Sequence, residues 1–193
     1  MSLYTPDTGY SSGFSYTVSA EATQELLLAY YIIDRMNLTT ESDEEEVITN
    51  QIKAVRAYLE KKLGMSLVAS KTITAEWETY GTRTMLPFHP VQSVTSVSIV
   101  EPWNGTETAQ TVSNDYWVQG QDKKSIVMKQ VYAGYGLKVV YVTGITDSAI
   151  KELVKDAIMS EVIEWFHQRN NPDENQYILG KIALSKLDTL RVI

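Results

Sequence analysis

Arg83-Thr84-Met85-Leu86-Pro87-Phe88-His89-Pro90-Val91, followed by Gln92-Ser93-Val94-Thr95-Ser96-Val97-Ser98-Ile99-Val100, is the stretch on which the fold turns. Proline has no N–H to give to a ladder, so Pro87 and Pro90 bracket a passage from one strand to the next. After them, serine and threonine alternate with valine up to Val100, which reads as a strand with one buried face. Upstream the apolar spacing is helical, and downstream a single long helical pattern follows. The expected order is therefore helices, a β module, then helix.

The first helix is expected over about Ala20 to Met36, with Leu26, Leu27, Leu28, Tyr30, Tyr31, Ile32, Ile33 and Met36 around most of its circumference. A helix that is apolar nearly all round is covered on several sides, one of which a neighbouring subunit could supply. Ser42, with Glu45 three residues later, has the spacing of a capping box. The acidic run Asp43 to Glu46 complements the positive end of the dipole of helix two. Consecutive helical residues fan outward, so these four acids do not converge on a metal. Ile48, Ile52, Val55, Leu59 and Leu63 form one stripe, and Gly64 is placed to end the helix. Burying that stripe would contribute on the order of 10 kcal/mol before chain entropy is counted.

From Leu67 to about Thr143 the period becomes two. Thr72 to Tyr80 places Ile73, Ala75, Trp77 and Thr79 on one face, and Asn104-Gly105 marks a tight hairpin. Further strands are expected at Thr108–Val112, Tyr116–Val118, Ser125–Val131 and Gly136–Val142. Asp147 or Ser148 caps a helix carrying Ile150, Leu153, Val154, Ala157, Ile158, Val162, Trp165 and Phe166, which breaks at Asn170-Asn171-Pro172. The final segment, interrupted by Gly180, has only a weak stripe and is expected to need a partner surface. These elements give an α+β fold: a helical bundle body with an inserted antiparallel β module, a small sandwich or barrel-like sheet. The expected divisions are a flexible N-terminal arm at 1–20, a helical body at 21–66, the β module at 67–145, the long helix at 146–172 and a tail at 173–193. The arm reads either as disordered or as ordering against a neighbour, because Tyr4, Tyr10, Phe14 and Tyr16 are costly to leave in water.

Composition narrows the chemistry. The 193 residues include no cysteine, which removes disulfides, thiolate catalysis and Cys-ligated metals. A net charge of −7 argues against tight, sequence-independent binding of nucleic acid. Met1-Ser2-Leu3-Tyr4 lacks the basic start and apolar run of a signal peptide, and Leu26 to Ile33 is too short to span a bilayer, so a cytosolic product with no membrane partner is expected. The two histidines, His89 and His167, lack a nucleophile elbow. Glu164 and His167 lie one helical turn apart but have no third ligand. Glu76 and Glu78 flank Trp77 as solvent-facing acids, and Tyr132-Ala133-Gly134-Tyr135-Gly136 lacks the lysine of a phosphate loop. No catalytic residue, cofactor site or metal site is read from this sequence, and no enzyme is expected.

Taken in order, several short motifs resemble the phage head–tail connector (adaptor, or head-completion) family. Val55-Arg56-Ala57-Tyr58-Leu59-Glu60 followed by Leu63-Gly64-Met65-Ser66-Leu67 is similar to its helix-pair ending. Leu86-Pro87-Phe88-His89-Pro90-Val91 with Val94 and Val97 is similar to its "LP..PV.sV.sV" strand start. Val140-Tyr141-Val142-Thr143-Gly144 is similar to its "v.Y.tG" strand end, and Glu164-Trp165-Phe166-His167-Gln168-Arg169-Asn170 to the end of its last long helix. The likeness covers roughly residues 22–191, with a longer tyrosine-rich arm and with Tyr30-Tyr31 where charged residues are usual.

The resemblance implies a structural virion protein at the head–tail junction. Such proteins form a homo-oligomeric ring, usually of twelve copies, under the portal protein. The ring extends the DNA channel, lets DNA pass without specific binding, and offers the attachment site for the next neck or tail protein. By the same likeness Tyr177, Ile178, Leu187, Leu190, Arg191, Val192 and Ile193 would form a portal-docking tail. Tyr4, Tyr10, Phe14, Tyr16, Leu27, Tyr30 and Tyr31 are the candidate subunit contacts. The alternatives are another neck or tail protein such as a tail terminator, and a carbohydrate-binding module using Trp77, Trp103 and Trp117 with Glu76 and Glu78.

Overall fold

The computed structural model describes residues 13–20, 25–38, 42–68, 70–121, 124–169 and 178–188. The chain divides into a β unit, Met1–Thr23 with Ser70–Gly144, and a helical unit, Gln24–Ala69 with Ile145–Ile193. The α+β class expected from the sequence is the one observed.

The β unit holds two antiparallel sheets. Strands β1 (Phe14–Ala20), β2 (Lys71–Trp77), β4 (Val91–Val100), β5 (Glu107–Ala109) and β8 (Gly136–Thr143) form one, in the order β1-β2-β8-β4-β5. Strands β3 (Arg83–Met85), β6 (Tyr116–Gln119) and β7 (Ser125–Met128) form the other, in the order β3-β7-β6. Their facing side chains share one core. Ile73, Ala75 and Trp77 of β2, Val97 and Ile99 of β4 and Leu137, Val139 and Tyr141 of β8 pack with Leu86, Tyr116, Ile126 and Met128. The hairpin expected at Asn104-Gly105 joins β4 to β5, with Gly105 at φ +68, a conformation glycine adopts without a Cβ penalty.

The alternation expected along Gln92–Val100 is interrupted. Val91, Val94 and Val97 are three residues apart, and on a straight strand that spacing would send Val94 to the opposite face. The register of β4 on β8 shifts between Val91 and Ser93 and again between Val94 and Ser96. Each bulge absorbs one extra residue. As a result Val91, Val94, Val97 and Ile99 lie opposite Thr143, Tyr141, Val139 and Leu137, of which all four β8 residues are buried. The period of three is thus a bulged strand.

The turn before β4 is held by the end of β8. The Tyr141 hydroxyl donates to the Pro87 carbonyl at 2.6 Å. The Thr143 hydroxyl lies 2.5 Å from the Phe88 carbonyl and 2.8 Å from that of Pro90, one proton facing two acceptors. The Gly144 amide also donates to Pro90 at 3.0 Å, and the Gln92 side-chain amide donates back to the Gly144 carbonyl at 3.0 Å. Within the turn Phe88 has φ +56 and the His89–Pro90 peptide is cis.

Residues 14–20, expected as part of a flexible arm, are instead strand β1, paired with β2 from Phe14 opposite Trp77 to Ala20 opposite Thr72. The Phe14 ring lies 5.1 Å from that of Trp77, and the Tyr16 ring 4.8 Å from that of Phe88. Own-chain aromatic packing covers these residues. The first helix cannot then begin at Ala20: α1 spans Ala29–Arg35, and Leu28 before it is extended.

The helical unit contains α1, α2 (Ser42–Leu63), α3 (Ser148–Arg169) and α4 (Lys181–Leu187). Ile48, Ile52, Val55 and Leu59 of the predicted stripe are buried and Leu63 partly so. They meet Leu27, Ile32 and Ile33 as well as Val154, Ala157, Ile158 and Val162 of α3. Gly64 ends α2 at φ +64. Asp147 caps α3, its Oδ1 accepting from the amides of Ala149 at 2.8 Å and Ile150 at 3.1 Å.

Two carboxylates organise this unit. Arg56 donates to both oxygens of Glu25, at 2.9 Å from Nε to Oε2 and 3.0 Å from Nη2 to Oε1, and to Glu60 Oε2 at 3.1 Å. Glu60 Oε1 in turn accepts from the Leu67 amide at 2.9 Å, tying the segment after α2 back to the helix. Glu161, fully buried on α3, accepts from the amides of Gly180, Ile182 and Ala183 at 2.6, 2.9 and 2.9 Å. These are the orphan donors at the start of α4. Gly180 has φ +81, and a Cβ there would fall 2.2 Å from the Tyr58 ring. The weak final segment therefore finds its partner surface within its own chain. Ala183 and Leu187 lie in the helical core, so the described part of the expected tail, 178–188, packs with the helical unit.

Two outcomes follow from these contacts. Thr143→Val keeps the side-chain volume but removes the hydroxyl that faces the Phe88 and Pro90 carbonyls, of which Pro90 keeps the Gly144 amide, and should cost about 2 kcal/mol in urea-unfolding free energy. A loss below a few tenths would show that the hydroxyl is not part of the clamp. Glu161→Ala removes the acceptor of three amides and should destabilise the protein by about 3 kcal/mol. In hydrogen exchange, protection at 180–183 should disappear while that of the α2 interior persists; wild-type exchange at 180–183 would refute the capping role.

Candidate assembly surfaces

No group of three or more His, Asp or Glu side chains among the described residues is placed to hold a metal. His89 sits half-buried in the Pro87–Pro90 turn, and His167 is exposed near the end of α3. Glu164, one turn before His167, accepts from the Gln168 side-chain amide at 2.6 Å. Trp77, one of the tryptophans considered for glycan stacking, is buried under Phe14. Glu76 and Glu78 are exposed, and Glu76 lies 3.5 Å from Lys138 Nζ. No helix among the described residues is long and apolar enough to cross a membrane.

What the molecule does present is apolar surface. In the helical unit Leu28, Tyr30 and Tyr31 are exposed, the two tyrosines by about half (50% and 47%). Their rings lie 4.0 Å apart, and the hydrogen bond with the Tyr31 side chain pushes the Tyr30 hydroxyl above its ordinary pKa. Leu27, by contrast, is buried in the helical core. Of the candidate subunit contacts, then, Phe14 and Leu27 are occupied inside their own units, Tyr16 is half-buried against Phe88, and Tyr30 and Tyr31 remain on the surface. Tyr4 and Tyr10 lie outside the described residues.

Of the candidate docking tail, Ile178 is 60% exposed just before α4, whereas Leu187 is fully buried within the helical core. Leu187 is therefore not available on the surface of the folded unit, because it fills the space that its helix must cover. Tyr177, Leu190, Arg191, Val192 and Ile193 lie outside the described residues.

The β unit carries a second surface, which joins Trp103, considered above for glycan stacking, to tyrosines distant in sequence. Trp103, on the β4–β5 hairpin, is 77% exposed. Its ring is 6.1 Å from that of Tyr135, which is 5.8 Å from that of Tyr132. The Tyr132 amide donates to the Tyr80 hydroxyl at 3.3 Å. Burial raises the Tyr80 pKa, and the donated amide only partly offsets it, so this oxygen stays protonated. Three loops (78–82, 101–106 and 129–135) thus bring four aromatic residues together. Each was legible as a loop, but their meeting depends on β2, β4 and β8 being neighbours. Register places Trp77 opposite Leu137 and Val100 opposite Gly136, which puts all three loops at one end of the sheet.

No protein-family model matches the chain, and no curated protein sequence matches it. Its fold does match solved structures along nearly the whole length of both chains. A chain in the neck of the empty gene transfer agent (GTA) particle, computed with C6 symmetry, superposes with TM-score 0.71 at 16% identity, covering 92% of this chain and 95% of that one. A chain in the neck of the native GTA particle, computed with C12 symmetry, gives TM-score 0.67 at 13% identity, with coverage of 92% and 95%. A chain of the native GTA virion gives 0.66 at 16% identity, with coverage of 89% and 93%. This chain has the fold of those particle proteins.

Proposed function

We propose that this chain is a structural neck protein of a phage-like particle, a ring adaptor at the head–tail junction of the virion. The observation that carries this reading is the end-to-end fold likeness to chains of GTA necks, 92% of this chain against 95% of each neck chain. It agrees with the connector-type motifs read in the sequence. Those necks were computed with rotational symmetry, and a ring of identical copies requires two unlike, complementary patches on each copy. Exposed Tyr30 and Tyr31, with Leu28, form one such patch in the helical unit. Aromatic residues with few rotors lose little entropy on burial and are common anchors in interfaces.

In this reading the ring sits under the portal, continues the DNA channel and offers an attachment site to the next neck or tail protein. The acidic balance suits a conduit, since an anionic wall does not hold phosphates, although salt screens that effect beyond about 8 Å. Ile178 and the segment 189–193, with Leu190, Arg191, Val192 and Ile193, would contact the portal. Leu187 instead anchors α4, so the docking element is narrower than the whole of 177–193.

The test is electron microscopy of the full chain with and without its portal protein. The free chain is expected to be monomeric or weakly associated, and rings should appear on the portal; a tight ring in dilute solution without portal would overturn that order of assembly. Removing residues 189–193 should abolish docking while leaving unfolding unchanged. Removing 177–193 should also unfold part of the helical core, because Ala183 and Leu187 leave with it. Docking that persists without 189–193 would reject the tail as the portal contact.

A further inference from the structure

The aromatic end of the β unit has the marks of a prepared binding surface. The loops carrying it are hydrogen-bonded rather than loose. The Glu101 amide donates to the Thr106 carbonyl at 3.0 Å, the Gly105 amide to Glu101 at 3.0 Å, and the Thr106 amide to Asn104 Oδ1 at 2.8 Å. On the facing loop the Tyr135 amide donates to Tyr132 at 3.2 Å. Trp103 is thus held out in solvent by a closed hairpin. Little order remains to be gained on binding, which lowers the entropic cost of filling the site.

Its hairpin side is acidic. Glu101 is two residues from Trp103, whereas Lys129 opens the facing loop three residues before Tyr132. Between Arg83 and Lys123 the sequence has no lysine or arginine, while it carries Glu101, Glu107, Asp115 and Asp122. Lys138, the cation of β8, is engaged by Glu107 at 2.6 Å and Glu76 at 3.5 Å, and the Glu107 contact raises its pKa. Among the described residues neither Glu78 nor Glu101 has an ion-pair partner, and the two cation–ring contacts involve Tyr58 and Trp165, not this cluster. The faces of tryptophan and tyrosine attract cations, and carboxylates beside them add to that attraction.

We propose that the cluster of Trp103, Tyr132, Tyr135 and Tyr80, with Glu101 on the hairpin side, docks an arginine- or lysine-bearing apolar segment of a different protein. A second copy of this chain fits the site poorly on charge, since each copy brings a net −7. The cation would sit over the Trp103 face and beside Glu101, with an apolar neighbour against Tyr132 and Tyr135. This site does not depend on the ring reading. Trp103 is exposed, so its substitution leaves both cores intact.

The experiment is calorimetric titration of the full chain at about 0.15 M salt with three synthetic hexapeptides. One alternates arginine with leucine, one replaces arginine by glutamate, and one replaces leucine by serine. The arginine–leucine peptide should bind and both others should bind markedly less. Trp103→Ala should weaken binding by about tenfold or more, and Glu101→Gln by about threefold, the order expected for a partly screened charge contact. Trp117→Ala, on the other sheet, should change nothing. Equal binding by the glutamate peptide, unchanged binding in Trp103→Ala, or no binding by the arginine–leucine peptide would each overturn the site. Self-association in sedimentation that Trp103→Ala abolishes would make a second copy the occupant instead. Rings on the portal that persist in Trp103→Ala would separate this docking site from ring assembly.

Discussion

The hydroxyls of Tyr141 and Thr143 and the amide of Gly144 hold the backbone of Pro87, Phe88 and Pro90 from below. Prolines cannot donate to a ladder, so a turn framed by two of them has carbonyls but few amides with which to satisfy its neighbours. The end of β8 supplies the missing donors. Because the turn is fixed there, β4 starts in register at Val91, and its two bulges can then place Val94, Val97 and Ile99 beside the buried Tyr141, Val139 and Leu137 of β8. Both sheets share the core that this register creates. The two motifs, Leu86 to Val97 and Val140 to Gly144, are therefore two halves of one contact.

The helical unit solves a similar problem with carboxylates. Glu60 and Glu161 are buried acids, which would be costly if unpaired. Each instead accepts backbone amides at the end of an element: Leu67 after α2, and Gly180, Ile182 and Ala183 at the start of α4. The Arg56 guanidinium is shared by Glu60 and Glu25, so it joins the segment before α1 to the C-terminal half of α2. Tyr58 lies between these acids in sequence and gives its ring to Gly180, where any side chain would collide. Within Val55–Glu60, Arg56, Tyr58 and Glu60 each have a separate structural task, and Val55 and Leu59 fill the core.

With both cores so occupied, the exposed aromatic groups are what the proposed partners would meet. Tyr30 and Tyr31 lie on one unit, and the Trp103 cluster on the other. They differ in character, one a helical pair and the other a rigid loop platform edged with acids. Unlike patches on one chain are what a closed ring and its attached components require.

Periodicity in the sequence determined the helices α2 and α3, the hairpin at Asn104-Gly105 and most strands, because each depends on neighbours within a few residues. The strand at 14–20 was also written there, in the alternation of Phe14, Tyr16 and Val18, but aromatic content in a polar, glycine-punctuated segment made an arm the simpler reading. Glu161 was visible as a lone acid on the apolar stripe of α3, yet its purpose depends on α4 folding back some twenty residues later. The valines of β4 could be counted, but only pairing with β8 turned a spacing of three into two bulges. The same holds for the aromatic surface. Trp103, Tyr132, Tyr135 and Tyr80 are far apart in the chain, and the sheet order β2-β8-β4 brings their loops to one end. Local patterns specify elements, while long-range pairing decides which side chains meet and which remain for a partner.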